Sequence, residues 1–452
     1  MICQRLSKLL NAPLHIAPLA TFRVAFGILM MVGTARFMLL GWIEDHYVKP
    51  LFHFKYYGFQ WVEPLSLTVM YVVHIIMFVA ALMVTLGLLY RIAAVLLFIS
   101  FTYTELIDLT YYLNHYYFVS LVCLLLIFLP ANRYFSLDII RKPSLYCNRV
   151  PAWTIYILKI QIAVVYIYAG LAKINYTWLI DALPLKIWLP AHDTIWLIGP
   201  IFKWQYTPYI FSWIGMLYDT TIIFWLAWSR TRPLAFITVI IFHVLTGILF
   251  QIGVFPLVMI AATLIFFSNN WHHYLHKTLA RMFHKSQLRN LTNASYKAYL
   301  PSWNKNVIIF LFCIFTVIQL IFPWRYLLYR GNMFWTEQGY RFGWRVMLME
   351  KAGTATFYVK DTKTGREGEV FNTDFLNPHQ EKQMAMQPDM ILQYAHFLGR
   401  HYEKNGIYNP QVRAEIYVTL NAQPSKLYID STIDLMTLKD GWTHKWWILA
   451  AE

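Results

Sequence analysis

Charge is scarce in this chain: Asp, Glu, Lys and Arg together make up only 13% of 452 residues, against 58% hydrophobic ones. That balance excludes an ordinary soluble globule and a disordered chain, and it places most of the sequence in lipid. Cysteine is rare as well. Cys3, Cys123, Cys147 and Cys313 show no metal-ligand spacing, and Cys123 and Cys313 fall inside apolar runs as small hydrophobes, so no disulfide framework is implied. No Gly-rich nucleotide loop and no serine elbow occurs, which removes the usual phosphate cradle and the usual esterase nucleophile. The net charge of +15 does not point to nucleic acid, because the basic residues lie between apolar runs rather than along one polar face. Anionic lipid headgroups are their expected partner.

What the chain has in plenty is apolar length. Nine runs, at residues 19–40, 64–89, 92–104, 116–129, 151–173, 209–228, 233–250, 254–267 and 307–324, predict a mainly α-helical polytopic membrane protein of about nine transmembrane helices. The basic start leads into a run that holds Arg23 and lacks a small-residue cleavage site, so it is expected to stay as a span, with Arg23 snorkelling. A tight turn is expected at Tyr90-Arg91. Residues 41–63 read as an interfacial loop with an aromatic belt, and residues 174–208 as interfacial and partly re-entrant. With the N-terminus inside, the outer short connections carry only Lys49, Lys55, Lys186 and Lys203, while Arg91, Arg133, Arg141, Lys142, Arg149, Arg230 and Arg232 fall inside. The expected divisions are a transmembrane part, 1–330, and an extracytoplasmic α+β domain, 331–452. In the latter, residues 354–359 and 366–371 read as a hairpin, 379–404 as a helical stretch broken at Pro388, and 412–420 and 425–430 as strands.

Ionisable groups within spans are costly and therefore mark function by default. The fifth run ends on Lys173, which about 30 Å of helix from residue 151 carries to the far hydrocarbon boundary. Lys173 is either a snorkelling anchor or a base, since a lysine withdrawn from water can be held as a neutral amine that takes a proton from a hydroxyl or hydroquinone. Asn114-His115 is either functional or a cap for the fourth span. Asp219 is either functional or a helix–helix contact, and His243, with Thr246 and Gln251 nearby, either functional or a buried imidazole. Trp271-His-His-Tyr-Leu-His276 reads as an interfacial amphipathic helix rather than a metal site, because a histidine-box centre needs several such boxes. Asn175-Tyr-Thr matches the glycosylation pattern on a predicted outer segment.

Several stretches together resemble the vitamin K-dependent γ-glutamyl carboxylase family, in a short form of bacterial type. They are Leu113-Asn-His115-Tyr, Ala131-Asn-Arg-Tyr-Phe-Ser-Leu-Asp138, Ala169-Gly-Leu-Ala-Lys173, Phe242-His243, Leu249-Phe-Gln-Ile-Gly-Val-Phe255, Gly331-Asn-Met-Phe-Trp-Thr336 and Phe342-Gly-Trp344. The resemblance implies Lys173 as the base and Asn114 and His115 as catalytic partners, with His243, Asp219, Tyr166 and Gln251 binding the cofactor. It implies reduced vitamin K as co-substrate with dioxygen and carbon dioxide, no metal, and a glutamate-containing peptide or protein substrate. Oxygenation of the quinol to its epoxide drives removal of a glutamate γ-proton, and carbon dioxide adds there. The implied location is a bacterial inner membrane, or the endoplasmic reticulum in a eukaryote. This chain lacks the cysteines for the family's disulfide between the first outer loop and the soluble domain, and it has Phe375 and Gln387-Pro388 where the animal enzymes differ. The alternatives are a quinol epoxidase that does not carboxylate protein and a non-enzymatic transporter or lipid-binding protein.

Overall fold

In lipid every backbone polar group must be satisfied within the protein, so apolar runs of bilayer length fold as helices. The computed structural model describes residues 5, 8–196, 198–250, 252–282, 297–299 and 305–451. Among them seven helices are long and apolar enough to cross a membrane: α1 (Ala17–Leu39), α2 (Leu67–Leu86), α3 (Tyr90–Ile107), α5 (Trp153–Ala172), α6 (Thr207–Ala227), α7 (Arg232–Leu249) and α10 (Lys305–Ile321, apolar through Leu328). Two shorter apolar helices, α4 (Asn114–Phe128) and α8 (Phe255–Thr263), complete the nine expected runs. With 15 residues, α4 reaches only about 22 Å, short of the hydrocarbon thickness. Between α8 and α10 runs α9 (Asn269–Met282). A two-stranded pairing of β1 (Pro13–His15) with β2 (Arg149–Pro151) ties the start of α1 to the start of α5.

Three expectations change. Arg23 does not snorkel. It is fully buried, and its guanidinium donates to the carbonyls of Ala131 at 2.7 Å and Phe135 at 2.5 Å. The loop after α4 folds over the start of α1 with carbonyls that no helix satisfies, and a five-donor side chain meets that need better than water at the interface. The turn between α2 and α3 lies at 87–89 rather than at Tyr90-Arg91. Gly87 (φ 64°) and Leu89 (φ 45°) take the left-handed region, and the Asp138 carboxylate accepts from the N–H groups of Leu89 and Tyr90, so Tyr90 already belongs to α3. Third, α9 is helical, but His272 and His276 face inward and share the Thr21 hydroxyl at 2.8 and 2.9 Å. Burial pushes His272 down to about 3 and His276 well below the usual imidazole range, so both rings are neutral.

The C-terminal part follows its sequence pattern closely. β3 (Lys351–Lys360), β4 (Glu367–Val370), β5 (Gln411–Leu420) and β6 (Lys426–Leu427) form an antiparallel sheet in the order β4-β3-β5-β6. Alternation along β5 buries Val412, Ala414, Ile416 and Val418 against α12 (Pro388–Lys404), which presents Ile391, Tyr394, Ala395 and Leu398. A short helix, α11 (Pro378–Met384), precedes α12. It opens on a capping box between Asn377 and Gln380, and the chain breaks before Pro388 as expected. The loop between α1 and α2 is not simply interfacial. Phe54 and Tyr56 are buried in the core of this domain, and Lys55 exchanges backbone hydrogen bonds with the Gln393 amide at 2.8 and 3.0 Å. Asp108, just past the end of α3, accepts from Gln380 at 2.7 Å, so the domain is fastened directly to the helices below it.

Candidate active site

The extended residue Leu113 redirects the chain into α4, and Asn114 is the first helical residue. Its side chain does not cap the helix. The amide donates to the Arg345 carbonyl at 2.7 Å, and the amide oxygen accepts from the Tyr112 hydroxyl at 3.0 Å, which itself accepts from the Phe342 N–H at 2.7 Å. Asn114 thus joins the membrane helices to the segment entering the soluble domain. His115 is buried beside Tyr116 and Phe255, and its Nε2 has no hydrogen-bond partner among the described residues. Both residues line a cavity of about 1050 Å³ between the helices and the soluble domain.

The far wall of that cavity is charged. Arg341 pairs with Asp389 and also donates to Gln387. Burial works against its charge, but Asp389 outweighs burial and holds Arg341 above the usual guanidinium range. Lys351 donates to the carbonyls of Trp335 (2.7 Å) and Met386 (2.8 Å) and to Glu337 (2.9 Å). Burial pulls its amine below the usual lysine range, against the opposite pull of Glu337. Glu105, on α3, lines the same cavity, and no hydrogen bond or ion pair reaches its carboxylate among the described residues. Sequence reasoning did not single out Arg341, Lys351 or Glu337. The signal was the density of charge at 337–351, directly after the last apolar run of a charge-poor chain.

Lys173 ends α5, and Gly170 one turn earlier sets where it lands. A Cβ at Gly170 would stand 2.7 Å from the Thr220 backbone nitrogen, so only glycine lets α5 and α6 approach this closely. The approach places Lys173 Nζ 2.6 Å from Asp219 Oδ2, with Ala169 O at 3.2 Å and the Trp178 ring centroid at 5.5 Å. Both partners are buried, and neither lines the large cavity. The same two helices also meet α7: the Tyr166 hydroxyl of α5 reaches His243 Nε2 at 2.8 Å, and Tyr218 of α6 stacks on Phe242 at 3.8 Å. His243 Nδ1 is without a partner among the described residues. The Phe255 ring lies 5.5 Å from the His115 ring and 5.8 Å from that of His243, and so links the two groups. The structure therefore brings Lys173 to Asp219 and Tyr166 to His243, and sets Asn114 and His115 on the cavity. Gln251 lies outside the described residues. Asn175 accepts from the Trp178 N–H at 2.9 Å, capping a short helix.

The family model of the HTTM domain matches residues 11–271, and that of the vitamin K-dependent gamma-carboxylase lumenal domain matches residues 304–452. The chain belongs to the vitamin K-dependent gamma-carboxylase family. No solved structure matches it. As a member of the carboxylase family it is an integral membrane protein. The cavity is built from both matched regions: Asn114, His115 and Phe255 come from the first, Arg341, Lys351 and Gln387 from the second. Among the described residues, no group of three or more His, Cys, Asp or Glu side chains is arranged to hold a metal ion.

Proposed function

We propose that this protein is a quinol-dependent γ-glutamyl carboxylase and epoxidase, with its catalytic groups at the seam between a transmembrane part, 1–330, and an extracytoplasmic domain, 331–452. The observation that carries the reading is the partnerless Nε2 of buried His115 on the wall of the 1050 Å³ cavity shared by both matched regions. A buried nitrogen without a partner costs free energy, so a ligand oxygen is its natural complement. Reduced vitamin K, oxidised by dioxygen to its epoxide, supplies the strong base that a glutamate γ-C–H requires, and carbon dioxide takes the vacated position. The aromatic side of the cavity, with Phe37, Trp42, Tyr47, Tyr116 and Phe255, fits an isoprenoid quinol.

The chain's own groups divide the remaining work. Lys173 takes the quinol proton as a neutral amine, and Asp219, at 2.6 Å, is a place for the lysine's own proton to go. Asp219 then acts through Lys173 rather than on the cofactor directly. Tyr166 and His243 are hydrogen-bonded to each other, and His243 packs on Phe255, which lines the cavity. Asn114 fixes the start of α4 so that His115 can donate to developing oxygen charge. On the opposite wall, Arg341, Arg345 and Lys382 attract the carboxylate of a glutamate-containing peptide. Water exclusion under the soluble domain keeps these interactions strong. The lysine and arginine asymmetry orients the N-terminus to the cytoplasm.

The test is to supply purified protein with reduced vitamin K in air, with and without a glutamate-rich peptide and labelled carbon dioxide. Epoxide together with peptide-bound label is expected. Epoxide without label reduces the reading to a quinol epoxidase, and no epoxide at all removes it.

A further inference from the structure

At the membrane interface opposite the soluble domain lies a second, smaller cavity, of about 290 Å³, between the start of α3 and the loop that follows α4. α3 begins at this cavity and ends under the soluble domain. Its 18 residues span about 27 Å, close to the hydrocarbon thickness, so the cavity opens at the level of lipid headgroups. Four cations line it, Arg91, Arg133, Arg141 and Lys142, against one carboxylate, Asp138. That carboxylate is already occupied: it accepts from Leu89 N (2.8 Å), Tyr90 N (3.1 Å), Asn132 Nδ2 (2.7 Å) and Arg141 (3.2 Å). Lys142 is exposed, and no hydrogen bond or ion pair reaches its side-chain amine among the described residues. Arg91 donates to Ile127 O and Arg133 to Leu145 O, neutral carbonyls that leave their charge uncompensated.

The floor is rigid. The buried Arg23 guanidinium holds the carbonyls of Ala131 and Phe135, and the Asp138 N–H donates to Gly87 O at 2.9 Å, so the loop and the α2–α3 turn form one body. From the cavity an apolar stripe runs down the outer face of α3: Ile92, Val95, Leu96 and Ile99, all exposed and spaced i, i+3, i+4, i+7. A rigid cationic pocket at headgroup depth, continuous with a lipid-facing apolar stripe, matches a molecule with a phosphate at one end and acyl chains at the other. We propose that this pocket binds the phosphate of an anionic phospholipid, with the acyl chains lying along α3. The inference rests on the membrane location of the chain and is independent of the carboxylase reading.

The test uses the full-length protein in detergent, with native mass spectrometry comparing retention of phosphatidylglycerol and phosphatidylcholine. Wild type is expected to retain phosphatidylglycerol preferentially. Each cation removed should lower the preference about fivefold, the factor that corresponds to ~1 kcal/mol per basic residue near an anionic headgroup. Lys142→Gln, at a site with no bond to break, and Arg141→Gln/Lys142→Gln are therefore the variants, with thermal unfolding confirming that each is folded. Equal retention of the two lipids by wild type, or an unchanged preference in the double variant, overturns the proposal. Inorganic phosphate is added in a parallel arm. If it displaces phosphatidylglycerol completely while wild type shows no preference tied to the acyl chains, the pocket is a free-phosphate site and the lipid assignment falls.

Discussion

Lys173 and Asp219 are buried together, and the behaviour of each without the other separates anchor from base. An anchor tolerates Lys173→Arg, because arginine keeps the charge and snorkels as well. A base does not, because a guanidinium stays protonated at any working pH. The expected result is no epoxide from Lys173→Arg or Lys173→Ala, with partial rescue of the alanine variant by a small amine, stronger at higher pH as more of that amine is neutral. An active arginine variant ends the base role. Asp219→Asn should lose turnover and also stability, by about 3 to 5 kcal/mol if the pair is ionised in the resting protein, measured as a fall in unfolding temperature. His115→Ala should lose on the order of 100-fold in turnover with unchanged yield of folded protein, the usual cost of one donor to a developing oxyanion. Wild-type epoxidation in that variant would remove the catalytic role. Lys173, Asn114 and His115 were legible because polar groups stand out against apolar runs. The Lys173 partner was not, since Asp219 lies 46 residues away and meets it only because Gly170 lets two helices touch. Arg23 misled for the same reason: its partners are carbonyls of a loop more than 100 residues on.

At the level of elements, length and apolarity sufficed to find the nine runs, and period-two alternation sufficed for β3 and β5. The inward turn of α9 was hidden, because an amphipathic pattern does not say which face another helix will meet, and a single Thr21 hydroxyl decides it here. The α5–α6 contact carries a prediction of its own. Gly170→Ala puts a methyl group 2.5 Å from the Thr220 side chain and 2.7 Å from its backbone, so the helices must part. Overpacking of this kind costs about 1 to 3 kcal/mol, and here it also draws Lys173 from Asp219. Lower thermal stability together with reduced epoxidation is expected. A variant that loses neither shows that the helices adjust without moving the pair.

For the molecule as a whole, orientation is the property most open to a direct check. A cysteine introduced at Gly365, in the exposed turn between β3 and β4, should react with a membrane-impermeant thiol reagent in intact cells. Reaction only after lysis would reverse the topology. The seat of the soluble domain bears on how the chain is made. Phe54 and Tyr56, in the loop between α1 and α2, are part of its core, and Lys55 bonds to Gln393, a separation of 338 residues. The ribosome delivers the first of these partners 338 residues before the second. While those residues are made the aromatic loop waits without its cover, and the later-made domain cannot close until it recruits the earlier-made hairpin. Expressed alone, residues 331–452 would lack Phe54, Tyr56 and Leu109 of their core, which the membrane part of the chain supplies.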